Sequence, residues 1–249
     1  MSSIPGFLFP LIYVGFVAVE RLFPARPQPR VGWWLPKGVL FFLLGGVLGG
    51  ALSPHVGAWA SAHRLFDLRA LGAVAGTLGG LVVLDLVMYW WHRARHTWTP
   101  LWRLHQLHHS SERLDAVGAF YFHPVETVIA VNLATLVGGL MGLEGHAVLA
   151  LGVATFLLAL FQHANLRTPR WLGYVIQRPE QHALHHERGV HARNYGALAL
   201  WDRLFGTYAN PATFTGAVGF WDGASRRLGP LLIGADVTAQ PVGAQPVGR

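Results

Sequence analysis

The feature that most limits how this chain can fold is a series of long apolar runs. A helix needs about 20 largely uncharged residues to cross the roughly 30 Å hydrocarbon layer of a bilayer. Five stretches approach that length: Gly6 to Phe23, Trp34 to Leu52, Leu71 to Trp91, Val125 to Leu143 and Ala147 to Gln162. Only 12% of the residues are charged against 52% hydrophobic, too few charges for an ordinary wet surface. The expected fold is therefore an all-α integral membrane protein, a bundle of four to five membrane helices. The opening MSSIPGFLF has neither a basic leader nor a clean small-residue cleavage site, so it is expected to stay as part of the first span.

The basic residues are unevenly placed. Arg21, Arg26, Arg30 and Lys37 surround the first connection, Arg93, Arg95, Arg103 and Arg113 follow the third run, and Arg167, Arg170 and Arg178 follow the fifth. Between the second and third runs there are only Arg64 and Arg69, offset by Asp67. Because Lys- and Arg-rich loops remain in the cytoplasm, the N-terminus is expected outside and the C-terminus inside. Topology thus accounts for the net charge of +7, and nucleic-acid binding is not expected.

Histidines carry the chemistry. His92 and His96 are spaced i, i+4; His105, His108 and His109 form one HxxHH cluster and His182, His185 and His186 another. On helices each set shares a face. Eight clustered imidazoles without metal would leave many donors and acceptors unpaired, and their number implies two ions. Imidazole suits iron, zinc, copper and nickel, whereas magnesium and calcium prefer oxygen. The chain has no cysteine, which excludes thiolate sites, and no Glu-x-x-His motif of the soluble carboxylate type. HERGVH, from His186 to His191, is one residue too long for a zinc-protease box. His191 itself is given no role.

Asp85 lies two helical turns ahead of His92, at a depth where a carboxylate is costly. It is expected to accept a hydrogen bond from a ligand histidine. FQHANL at the end of the fifth run sets His163 and Asn165 at the cytoplasmic mouth, and Asn165 joins Asp85 as a candidate catalytic residue. The four-residue glycine spacing in the second and third runs reads as close helix packing.

In this arrangement the chain resembles the fatty acid hydroxylase/sterol desaturase superfamily of membrane di-iron enzymes. The boxes read His92-RAR-His96, His105-QL-His108-His109 and His182-AL-His185-His186. Asp85, SSE after the second box, HPVE at His123, HAN at His163 and NYG…WDRLFGTY from Asn194 to Tyr208 match as well. The resemblance implies a cytoplasmic helical cap holding two irons, with His123 and His163 supplementing the eight. Family members often carry arginine two residues before the HP pair; here Tyr121 stands there, and a changed substrate-facing surface is expected.

The expected organisation has membrane anchor spans over 1–91 and a cytoplasmic segment with the first boxes over 92–124. A membrane hairpin over 125–164, a segment with the last box over 165–228 and a disordered tail over 229–249 follow. One catalytic unit covers about 80–208. The expected function is oxygen-dependent C–H hydroxylation of a bilayer lipid, with dioxygen as co-substrate and zinc able to replace iron. Electrons would come from a separate reductase, ferredoxin or cytochrome, since no carrier motif is present. Lipid desaturation or another lipid oxidation on the same centre is the nearest alternative. A metal-binding protein or transporter without catalysis is the other, although its path would need polar residues that the runs lack.

Overall fold

The computed structural model describes residues 7–240, among which every regular element is helical. The helices are α1 (Leu8–Leu22), α2 (Trp34–Ala62), α3 (Gly72–Thr97), α4 (Thr99–His109), α5 (Pro124–Leu140), α6 (Gly145–His163), α7 (Pro179–His185), α8 (Ala199–Leu204) and α9 (Leu228–Leu232). Three stretches are long and apolar enough to cross a membrane: Trp34–Ala62, Arg69–Thr97 and Gly145–His163. α5 is apolar but has only 17 residues, and α1 has 15. At 1.5 Å per residue α1 falls well short of the hydrocarbon thickness. The first run is thus shorter than expected, and residues 1–6, where it was to begin, lie outside those described. Leu40, Leu43, Val47, Val74 and Leu78 are exposed along α2 and α3, surface that suits lipid rather than water.

Small residues bring the helices together. A side chain at Gly45 or Gly49 of α2 would run into Thr127 or Val131 of α5, and Gly76 and Gly80 of α3 lie against Ala147, Leu143 and Leu151. These glycines are packing positions, as their spacing suggests. At one end of the bundle the α2–α3 connection meets the α5–α6 turn, where Leu65 N–H donates to the Leu140 carbonyl and Leu68 N–H to that of Gly142. Gly142 has φ +61°, and a Cβ there would strike the Phe66 carbonyl and lie 3.1 Å from Asp67 Cα. Gly142→Ala is expected to cost about 1–3 kcal/mol through overpacking alone, read as a lowered midpoint of thermal unfolding in detergent.

At the opposite end lie the start of α2, the end of α3, the start of α5 and the end of α6, and the histidine boxes sit there. α3 runs without a break through His92 and His96, so the first box is carried on the prolonged end of a membrane-length helix. Trp98 then turns extended and Pro100 opens α4 in its first turn. α4 stops at His109. The following residues are bonded elsewhere. Ser110 returns its hydroxyl to the Leu107 carbonyl, and Glu112 accepts from Gly223 N–H and from Ser225.

Glu20, near the end of α1, is buried, and its carboxylate accepts N–H groups of Ala116 and Asn165. The expectation of disorder from residue 229 is corrected as far as Gln240. α9 packs on α4, Leu231 and Val237 are buried, and Gln106 accepts the Val237 N–H. An aperiodic sequence misses this because the segment is held by contacts to α4 rather than by an amphipathic face of its own. The rest of that tail, residues 241–249, lies outside the described residues.

Candidate metal centre

Nine histidines from four helices converge at this end. His92, His96, His105, His109 and His185 form one group, and His108, His163, His182 and His186 a second; within each, one nitrogen per ring lies within 4.8 Å of all the others. The sequence boxes are shared between the groups. HxxHH places its first and last residues of α4 in one and His108 in the other, while His185 and its neighbours His182 and His186 are similarly split. His163, at the end of α6, completes the second group.

Four of the nine rings are aimed by a hydrogen bond from Nδ1 to a carbonyl or amide oxygen. His92 donates to the Tyr195 carbonyl (2.8 Å), His163 to Ala159 (2.7 Å), His185 to Arg193 (2.7 Å) and His182 to Gln177 Oε1 (3.0 Å). A neutral imidazole has one N–H, so each of these rings turns a lone pair inward at Nε2. Yet Nε2 of His163 stands 2.9 Å from Nε2 of His182, and His108 Nε2 stands 3.1 Å from His163 Nε2. Two lone pairs at 2.9 Å repel unless a cation lies beside both. Ligand atoms at right angles about an ion ~2.1 Å away are separated by roughly 3.0 Å. The donor set therefore fits transition-metal ions, one to each group. Buried Nε2 atoms of His92, His96 and His105 without a hydrogen-bond partner fit the same reading.

Burial holds the rings of His105, His108, His109, His182 and His186 far below the ordinary histidine pKa, helped by Arg95 at His105 and His108 and by neighbouring histidines, and brings His185 to about 3. The rings are thus neutral and able to ligate at physiological pH. Their folded values lie below the unfolded value of about 6.5, so the unfolded chain binds more protons on acidification. The stability they contribute is complete above about pH 6.5 and is lost as the pH falls towards about 3. The metal-free chain is expected to lose thermal stability steadily from about pH 6.5 downwards, measured by unfolding in detergent.

Four expectations differ from the geometry found. His123 is not in either group. It caps α5, accepting the Val125 N–H at Nδ1 and donating from Nε2 to the Leu232 carbonyl, so both nitrogens are used. Asn165 is turned to the α1–α2 connection, where it bonds the backbone N–H and carbonyl of Arg26. Its amide clamps that connection. Asp85 accepts no histidine; its oxygens take the N–H groups of Ala197 and Leu198. Tyr121, where the family's arginine would stand, is buried in the aromatic core against Trp34 and Phe41 rather than on an exposed surface.

Other residues escaped sequence reasoning. His191 Nδ1 comes within 3.1 Å of His109 Nδ1, and the half-buried Trp102 ring lies 5.2 Å from His96 and 5.6 Å from His109. NYG is explained by crowding: a side chain at Gly196 would meet Leu198 O, Asp85 Oδ2 and Asp202 Oδ2 at 3.0–3.3 Å. Arg95 and Glu126, both buried, form an ion pair at 3.2 Å beside His105. Only the HPVE match pointed towards Glu126.

The fatty acid hydroxylase family model matches residues 77–207. Among curated proteins, the ornithine lipid hydroxylase of Rhizobium tropici is 34% identical over 53% of this chain and 41% of its own. The alkylglycerol monooxygenase of Danio rerio is 29% identical over 64% of this chain and 35% of its own. The lathosterol oxidase of Homo sapiens is 27% identical over 62% and 50%. The chain thus spans half or less of the length of these relatives. No solved structure matches it. With the matched segment running from within α3 to the end of the NYG…WDRLFGTY stretch and taking in all nine converging histidines, the chain belongs to the fatty acid hydroxylase family.

Proposed function

We propose that the protein is a membrane-embedded, dioxygen-dependent lipid hydroxylase that holds two iron ions between the nine histidines. The observation that carries this is the convergence of inward-facing Nε2 lone pairs at 2.9–3.2 Å in two adjacent buried groups. Family membership and relatives that oxidise or hydroxylate lipids support it. His92, His96, His105, His109 and His185 would hold one ion and His108, His163, His182 and His186 the other. When bound, a pair of redox-active ions supplies the activation of dioxygen towards an unactivated C–H bond. Zinc fits the same nitrogen donors but has no redox chemistry to offer.

The chain's own contribution is positioning and shielding. Carbonyls of Ala159, Arg193 and Tyr195 fix ring direction, and burial of the groups keeps water from the ligand nitrogens. The spanning reading extends to α5, giving four membrane helices, with α1 at the interface or tilted into it. The arginine-rich connections share the histidine end, which supports a cytoplasmic location for the centre. An excess of basic residues at that end suits docking of an acidic electron donor. The substrate is a bilayer lipid, which reaches the cap from between the helices.

Lipidomics of cells with and without the protein, grown in air and anaerobically, tests the proposal. The expected result is an oxygenated lipid that depends on both the protein and air. A product lacking two hydrogens would replace hydroxylation by desaturation, and an unchanged lipid profile would overturn lipid oxidation.

A further inference from the structure

Of the ring anchors around the two groups, one differs in kind. Tyr195, Arg193 and Ala159 offer carbonyls and Gln177 an amide oxygen, whereas His105 Nδ1 lies 3.1 Å from the carboxylate Oε1 of Glu126. The same Nδ1 is also 3.2 Å from Nη1 of Arg95, which is itself 3.2 Å from Glu126 Oε1. All three side chains are buried. A guanidinium only donates and a carboxylate only accepts, so the two neighbours demand opposite tautomers of the imidazole. If Nδ1 accepts from Arg95, the ring proton sits on Nε2, and His105 cannot be a ligand. If Nδ1 donates to Glu126, Nε2 carries the lone pair that its group requires. Nε2 of His105 is buried with no acceptor in reach, so a proton there would be an unsatisfied donor.

We infer that Glu126 is a positioning residue that fixes His105 as its ligand tautomer against the competing donor Arg95, and that the Arg95–Glu126 pair thereby controls occupancy of the five-histidine group. This rests on the metal-binding reading above. It assigns to the HPVE motif a function on the membrane side of the centre: Glu126 sits in the first turn of α5 and Arg95 near the end of α3, so the pair also locks two membrane-facing helices to the ligand it orients. An anchoring ion pair without influence on the metal is the alternative.

The two readings separate in variants of the full chain that leave no buried charge unpaired. In R95M/E126Q the Arg95 donor is gone and the amide oxygen can accept from His105, as Gln177 Oε1 does from His182. In R95M/E126M nothing accepts. Each purified protein is stripped with chelator and titrated with Co2+, whose visible absorption reports each ion bound, while thermal unfolding reports the fold. The expected result is two ions near wild-type affinity for R95M/E126Q. R95M/E126M should keep one ion at wild-type affinity and bind the other about 10–100-fold more weakly, as losses of ligand-orienting partners do. Equal, wild-type binding by both double variants would overturn the inference while leaving the metal centre intact. A wild-type chain that takes up no Co2+ would overturn the metal reading and the inference together. Should R95M/E126M not fold, R95M/E126Q alone decides: with Arg95 gone and an acceptor kept, both affinities should stay at least as high as wild type, and a weakened site would overturn the inference.

Discussion

Replacing His185 by Ala is expected to abolish turnover and to leave the protein with one metal ion instead of two. His185 is fully buried, its Nε2 is 3.2 Å from that of His109, and its ring packs 4.5–4.8 Å from those of His92, His96 and His109. Loss of a partner behind a ligand weakens metal binding about 10–100-fold, so loss of the ligand itself should exceed ~100-fold. The alanine also opens a cavity among three other ligand rings, which lets them drift from their convergence. Metal analysis of the purified protein and product formation from membrane lipids check both halves. His123→Ala is the contrast. It removes an α5 cap at a cost of about 1 kcal/mol, and two ions should remain. Two ions in His185→Ala would contradict the grouping.

Asp85→Ala should affect both ions although Asp85 touches neither group. Its carboxylate holds the N–H groups of Ala197 and Leu198, at 2.8 and 2.9 Å. Two residues earlier, the Tyr195 carbonyl receives His92 of the five-histidine group. The Ala197 carbonyl in turn accepts from Gln177 N–H, and Gln177 Oε1 orients His182 of the other group. One buried carboxylate therefore braces a ligand in each. Alanine leaves two part-buried N–H groups without partners at about 1–3 kcal/mol each, for a total destabilisation of about 2–6 kcal/mol. Asn, whose amide oxygen still accepts, should recover roughly half of it. Thermal unfolding of the metal-free protein gives the first number, and Co2+ titration should show both sites weakened. Wild-type affinity at both sites in a destabilised Asp85→Ala would limit the carboxylate to a structural role.

Asp85 also illustrates how far local reasoning carries. Its depth on α3 marks it as paired, and it is paired, but with the backbone of a loop more than a hundred residues away rather than with the nearest histidine. A carboxylate accepts N–H from any element that reaches it, and spacing along a helix gives no information on which one does. His123 and Asn165 fail for the same reason. Each lies beside a motif, yet the ring caps its own helix and the amide ties down the α1–α2 connection. The segment from Gly229 to Gln240 lacks periodicity because its order comes from packing on α4 and from the Gln106 side chain, not from a stripe of its own.

Some properties follow from the order of residues alone. Apolar runs with few charges require helices in contact with lipid, because backbone groups in hydrocarbon must be satisfied within each segment. The i, i+3 and i, i+4 histidines share faces by helix geometry, and imidazole without thiolate restricts the metals. Which ring joins which ion was left to tertiary structure. Adjacent histidines such as His108 and His109, or His185 and His186, point roughly 100° apart on a helix and so enter different groups. The tautomer of each is set by whatever carbonyl, amide or carboxylate the packing brings to its Nδ1, and for His105 that partner is a glutamate from another helix.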